Sequence, residues 1–261
     1  MYFKPKKRLG QNFLIDKNIQ NKIINACNFK SSDTVLEIGA GRGELTQLIA
    51  QRVNKVYAFE IDRNLCSILK DNLINHKNVA IVNGDFLKVD LREYFKKSDH
   101  KIKIIGNIPY YITTPIIEYL LKYKQNIEII FLTVQKEFAL RMLSKAGNKD
   151  YGSFSCFIQY YTKPKKLFFI TRTCFKPTPK VDSCFLQLEI RGEPPVKIEN
   201  EALVFKIIRA AFNKRRKTLR NSLKELIPGA DLEAFFKQYE IDPNIRPEAL
   251  SLEDFAHLAN I

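Results

Sequence analysis

Residues 33–60, DTVLEIGAGRGELTQLIAQRVNKVYAFE, decide how this chain folds. The run from Thr34 to Ile38 reads as a buried strand that ends in the glycine turn Gly39-Ala40-Gly41-Arg42-Gly43. Glu44–Arg52 reads as a helix, and Lys55–Glu60 as a second strand. The alternation continues outward. Arg63–Ile74 reads as a helix and Val79–Val82 as a third strand ending in the loop Asn83-Gly84-Asp85-Phe86. A fourth strand, Ile102–Ile105, runs into Gly106-Asn107-Ile108-Pro109-Tyr110-Tyr111, with a helix from about Thr114 to Lys122. Ile127–Val134 is a fifth strand, followed by a helix over Gln135–Ser144. Strands alternating with helices predict an α/β fold whose mostly parallel sheet is covered on both faces.

On the N-terminal side, residues 1–15 carry Lys4, Lys6, Lys7 and Arg8 with no acid, a basic arm suited to phosphate. Asp16 is placed to cap a helix reaching about Cys27. Beyond Gly152 the pattern changes. Phe154–Tyr161, Lys166–Ile170 and Ser183–Ile190 read as strands without long intervening helices, which predicts an antiparallel edge. Gly192-Glu193-Pro194-Pro195 marks the expected domain boundary, giving a larger domain over 1–192 and a small all-helical one over 193–261. The helices expected there span about 201–212, 215–226, 231–238 and 251–259.

The formal charge of +15 points to a polyanionic partner, most simply a nucleic acid. Residues 1–192 hold the whole excess, with 32 Lys/Arg against 17 Asp/Glu. Residues 193–261 balance at 11 against 11, yet 206–224 has eight basic residues and no acid, so this segment is neutral but polarised. Five cysteines without a C-x-x-C pair read as reduced thiols of a cytoplasmic protein. His76, His100 and His257 stand in unrelated contexts, which supports neither a zinc site nor a histidine triad. No apolar run approaches 18 residues, so no membrane helix is expected, and nothing calls for an obligate oligomer; a monomer is expected.

The candidate site comes from strand ends. Gly39, Gly41 and Gly43 allow backbone to approach a ligand, but Glu44 stands where a dinucleotide fingerprint needs its third glycine, and no Gly-Lys-Ser/Thr follows as in a P-loop. Glu60, ending the second strand 21 positions after Gly39, is placed to bind both ribose hydroxyls of an adenosine cofactor. Asp85 is placed to accept from the cofactor's adenine amine, with Phe86 beside the ring. The fourth strand end offers an amide, a proline that fixes the loop and an aromatic ring, a set that suits an amino group on a planar heterocycle.

With these four elements in order, the chain resembles the S-adenosylmethionine-dependent methyltransferases, and more closely the ribosomal RNA adenine dimethyltransferase family. The resemblance is carried by KKRLGQNFL (6–14), VLEIGAGRGELT (35–46), NGDFL (83–87), GNIPYYITTP (106–115) and FKPTPKVDSCFLQLE (175–189). AFNKRRKTLRNSL (211–223) and RPEALSLEDFAHLAN (246–260) continue it over nearly the whole length. It implies a Rossmann-like methyltransferase sheet and a target of two adjacent adenines near the 3′ end of small-subunit ribosomal RNA in a pre-ribosomal particle, each methylated twice. It places cofactor contacts on Asn12, Leu14, Gly39, Glu60, Asp85 and Asn107.

For the chemistry, the Asn107 side-chain oxygen and the Ile108 carbonyl are expected to accept from the target amine, Pro109 to fix the loop and Tyr110 to stack on the base. A flipped adenine has a second face. Phe175 is the candidate ring for it, the alternative being a core residue before an edge strand. RNA contacts are expected from Lys6, Lys7 and Arg8 in the arm and from Lys214, Arg215, Arg216, Lys217 and Arg220 in the basic window. Two departures from the family pattern are Ile108, where Leu is commoner, and Tyr111, where Asn is usual; Tyr111 either alters base stacking or packs inward. Two other readings stay open: a large-subunit RNA adenine methyltransferase, and a non-catalytic RNA-binding factor on the same fold.

Overall fold

The computed structural model describes residues 5–6, 9–214 and 217–261. Its strands are β1 (Phe13–Leu14), β2 (Thr34–Ile38), β3 (Lys55–Glu60), β4 (Val79–Asn83), β5 (Ile102–Asn107), β6 (Ile127–Gln135), β7 (Thr162–Ile170), β8 (Phe175–Lys176) and β9 (Ser183–Ile190). The α-helices are α1 (Lys17–Ala26), α2 (Glu44–Ala50), α3 (Arg63–Asn72), α4 (Arg92–Phe95), α5 (Thr113–Leu121), α6 (Lys136–Leu143), α7 (Ser153–Tyr161), α8 (Glu201–Asn213), α9 (Leu219–Leu223), α10 (Gly229–Gln238) and α11 (Leu252–Ala259).

Seven strands form one sheet in the order β4-β3-β2-β5-β6-β9-β7. Strands β2 to β6 pair in parallel, and β9 runs antiparallel to β6, which is the expected mixed sheet with its antiparallel edge. All five residues of β2 are buried, as a strand covered on both faces requires. The chain runs outward from β2 through β3 to β4, then returns to place β5 on the other side of β2. That reversal opens a crevice beyond the carboxyl ends of β2 and β5, where open α/β sheets take their ligands.

The chain divides into two compact units, 1–139 with 165–190, and 140–164 with 191–261. The second unit is helical, with a core that includes Tyr160, Val204, Phe205, Ile208, Phe235 and Phe255. Phe154–Tyr161 is not a strand but most of helix α7, whose first turn is tied by the Gly152 N–H donating to Ser155 Oγ at 3.1 Å. The reason is tertiary: Cys156 and Tyr160, four apart, fall on one helical face and join the core of α8. A short aromatic run suits strand or helix equally until its partners are known. The second unit therefore takes in 140–164 as well as 191–261, where the expected boundary at 192 had only the latter.

Candidate active site

The crevice is lined from four strand ends and from the N-terminal arm, and contains about 940 Å³ of empty space, part of it open to solvent. After β2, Gly39 and Gly41 take φ of +75° and +61°, a left-handed geometry that costs glycine little. The N–H groups of Gly39 and Ala40 both donate to the Phe59 carbonyl, at 2.9 and 3.0 Å, so the turn is tied to the end of β3. Gly43 does different work. A Cβ there would lie 2.8 Å from Leu69 Cδ1, so its bareness lets α2 start against α3.

Glu60 is 5% exposed and its carboxylate is fixed by backbone. Oε2 accepts from the Gly41 N–H at 2.9 Å and Oε1 from the Asp62 N–H at 2.8 Å. Burial pushes its pKa up, while those two N–H groups hold it down. Each oxygen keeps a lone pair for a hydroxyl, the requirement for holding a ribose diol. Asp85 Oδ1 accepts from the Leu87 N–H at 3.1 Å; Phe86 meets Phe59 edge-on at 5.1 Å, giving the crevice an apolar wall.

At the end of β5, the Asn107 side-chain amide donates through Nδ2 to the Asn12 carbonyl at 3.1 Å. Its Oδ1 is thereby left as an acceptor on the loop. Tyr110 opens a 3₁₀ turn in which the Ile112 N–H donates to the Pro109 carbonyl at 3.1 Å. The Tyr110 hydroxyl shares a 2.6 Å hydrogen bond with Ser183 Oγ at the start of β9, which anchors the ring from its far end. Burial raises the pKa of this phenol. Tyr111 does not pack inward: it is 64% exposed, and its Cε1 lies 3.1 Å from where a Cβ on Gly10 would stand.

Asn12, Gly39, Gly41, Glu60, Asp85, Phe86, Asn107, Ile108, Pro109 and Tyr110 all line this crevice, as expected from the sequence. Leu14 and Phe175 do not. They are register partners in the antiparallel ribbon of β1 and β8, and are 5% and 2% exposed in a core shared with Ile23, Ile24 and Phe185. The Leu14 carbonyl accepts from Gln20 Nε2 at 2.7 Å, so it faces helix α1. The core alternative for Phe175 is the one the structure adopts.

A family model described as ribosomal RNA adenine dimethylase matches residues 2–261. The chain belongs to the ribosomal RNA adenine dimethylase family. Among its relatives is a ribosomal RNA small subunit methyltransferase A from Alkaliphilus metalliredigens (strain QYMF), 43% identical over 98% of this chain and 91% of that one. The protein of the same name from Lachnoclostridium phytofermentans is 44% identical over 98% and 90%. The fold matches the crystal structure of a dimethyladenosine transferase from Plasmodium falciparum with a TM-score of 0.80, at 27% identity over 94% and 95% of the two chains. It also matches the 23S rRNA methyltransferase ErmE, with a TM-score of 0.74 at 26% identity over 95% and 98%.

Lys6, expected on phosphate, is instead paired with Asp62 at 2.7 Å. Lys214 pairs with Glu225 at 3.0 Å, and Arg220 with Glu233 at 2.6 Å beside the Phe236 ring. Lys217 is exposed. Lys7, Arg8, Arg215 and Arg216 lie outside the described residues. The pairs of Lys214 and Arg220 are solvent-exposed and weak, so either cation is free to exchange its carboxylate for a phosphate. Asp62, by contrast, has a side chain only 1% exposed, so it would be left as a buried carboxylate with one partner fewer if Lys6, itself 34% exposed, moved to a phosphate.

Two residues of this site are not anticipated from the sequence. Ser183 carries no local signal. Asp62 does: it is an aspartate placed to cap α3, whose Oδ1 accepts from the Asn64 N–H at 3.0 Å. Among the described residues, no cluster of three or more His, Cys, Asp or Glu is arranged to hold a metal. No helix among them is long and apolar enough to cross a membrane.

Proposed function

We propose that this chain transfers methyl groups from S-adenosylmethionine to the exocyclic amines of two adjacent adenines near the 3′ end of small-subunit ribosomal RNA, dimethylating each. The observation that carries the chemistry is the Asn107 amide, whose nitrogen is held by the Asn12 carbonyl so that its oxygen is left to accept. The choice of subunit is supported by relatives at 43–44% identity named for the small subunit, against 26% for the 23S enzyme.

The crevice fits the cofactor. The glycine turn admits close backbone approach, Glu60 has acceptor capacity for the ribose hydroxyls, and Asp85 with Phe86 would hold the adenine. When bound, S-adenosylmethionine supplies an electrophilic methyl group. The chain's own residues do the rest. An aryl amine is a poor nucleophile because its lone pair is delocalised into the ring. Asn107 Oδ1 and the Ile108 carbonyl, accepting from its N–H groups, would favour a pyramidal nitrogen with its lone pair directed at the methyl. Tyr110, held by Ser183, would fix the base. A methylated aryl ammonium is acidic enough to lose its proton to water, so catalysis requires positioning and electrostatics rather than a general base.

In this reading the enzyme acts as a cytoplasmic monomer on a pre-ribosomal particle. The window around Lys214, Lys217 and Arg220, with Arg215 and Arg216, contacts phosphate. Incubation of undermethylated small subunits and, in parallel, of large subunits with methyl-labelled cofactor, followed by nucleoside mapping, tests it. Dimethyladenosine at two neighbouring positions is expected. Label confined to large subunits would transfer the reading to the large-subunit alternative, and cofactor binding without transfer to any RNA would make the chain a non-catalytic factor.

A further inference from the structure

Two residues beyond Glu60, Asp62 joins parts of the site that are distant in sequence. Its own N–H donates to Glu60 Oε1 at 2.8 Å. Its Oδ1 accepts from Lys6 Nζ at 2.7 Å and its Oδ2 from Gln11 Nε2 at 3.3 Å. Gln11 is tied back to Lys6, whose N–H donates to Gln11 Oε1 at 2.7 Å. Next along the chain, Asn12 receives the Asn107 amide. Asp62 thus links Glu60, through its backbone N–H, to the arm segment that meets the Asn107 loop, through its buried carboxylate.

A carboxylate with a side chain 1% exposed is costly unless it is paired and hydrogen-bonded. Asp62 is not needed for that burial by the fold alone, since an uncharged cap would serve α3 equally well. Its charge is used by Lys6. Asp62 is also absent from the crevice lining, so it acts through its neighbours.

We propose that Asp62 is a positioning residue that holds Glu60 and the Gln11–Asn12 segment in one arrangement, and so sets cofactor affinity without touching the cofactor. Lys6 serves this anchor rather than the RNA backbone. The proposal rests on the crevice being the S-adenosylmethionine site.

The test uses the full chain with Lys6→Gln, Lys6→Arg and Asp62→Asn, since asparagine retains the cap on α3. Calorimetric titration with S-adenosylmethionine is expected to show affinity weakened on the order of tenfold in Lys6→Gln and Asp62→Asn, within the usual range for coupling between sites. Lys6→Arg restores it. The KM for the cofactor rises by a similar factor, while kcat at saturating cofactor changes less. Amide exchange over residues 9–13 quickens in both weakened variants even without cofactor. The salt slope of RNA binding by Lys6→Gln stays at the wild-type value.

Unchanged cofactor affinity in both folded variants would overturn the proposal. So would a Lys6→Gln slope lowered by one phosphate contact, about 0.7–0.9, with cofactor affinity intact. If the wild-type chain bound no S-adenosylmethionine, the reading of the crevice would fail. The exchange measurement would then still decide whether Asp62 anchors the arm.

Discussion

The Asn107 side-chain amide donates to the Asn12 carbonyl at 3.1 Å, across 95 positions of sequence. This single bond selects which end of the amide faces the arm and which is left as an acceptor. It also makes the arm part of the support of the loop after β5. Asn107→Asp separates the two roles, because aspartate keeps an acceptor but loses the donor and sets a carboxylate against a carbonyl. The expected outcome is a raised KM for the cofactor together with reduced kcat, measured by methyl transfer over a range of cofactor concentrations.

Tyr110 and Ser183 give a second separation. Tyr110→Phe removes the 2.6 Å hydrogen bond but keeps the ring. A stability loss of about 1 kcal/mol is expected, with turnover within several-fold of wild type. Tyr110→Ala removes the ring, and loss of base stacking, ~1–3 kcal/mol, is expected to reduce kcat/KM by roughly 10–100-fold. Thermal unfolding and steady-state kinetics on the pair check both.

Glu37 predicts a pH dependence of stability. It is the fourth of the five residues of β2, 3% exposed, with its Oε2 accepting from the Thr46 hydroxyl at 2.5 Å. Burial pushes its pKa from an ordinary 4.5 up to about 8, against the Thr46 hydrogen bond. In that interval the folded chain holds a proton that the unfolded chain has released. Its contribution is therefore complete below pH 4.5 and is lost as pH rises through about 8. Glu37→Gln, which cannot titrate, is expected to flatten the stability curve over this window relative to wild type. The difference has a slope of at most about 1.4 kcal/mol per pH unit. Denaturant melts of both proteins at pH 5, 6.5 and 8 measure it.

Gly43 tests the packing beneath the turn. Alanine there would face Leu69 Cδ1 at 2.8 Å from a backbone at φ +92°. Strain of this kind costs roughly 1–3 kcal/mol, so a clear drop in Tm is expected from Gly43→Ala. Gly84→Ala, where nothing lies within 4 Å of an added Cβ, is expected to be mild.

How much of this was legible in the sequence follows a physical line. The strands and glycine turn were readable because buried parallel strands are continuous apolar runs that end abruptly, and Glu60, Asp85 and Asn107 because they stand at those ends. What the sequence withheld depends on partners far along the chain. Phe154–Tyr161 became a helix only because α8 offers its aromatics a core. Phe175 and Leu14 are drawn inward by facing each other across a two-residue ribbon, which no local pattern announces. Lys6 read as a phosphate contact because its charge was visible and Asp62, 56 positions away, was not recognisable as its partner.

Asn107 as the residue that orients the amine is tested directly by Asn107→Ala measured in single turnover on undermethylated small subunits. Methyl transfer is expected to fall by about 10²-fold or more, by analogy with loss of one preorganised transition-state contact, while RNA affinity stays near the wild-type value. Near-normal transfer by a folded Asn107→Ala chain would contradict the mechanism.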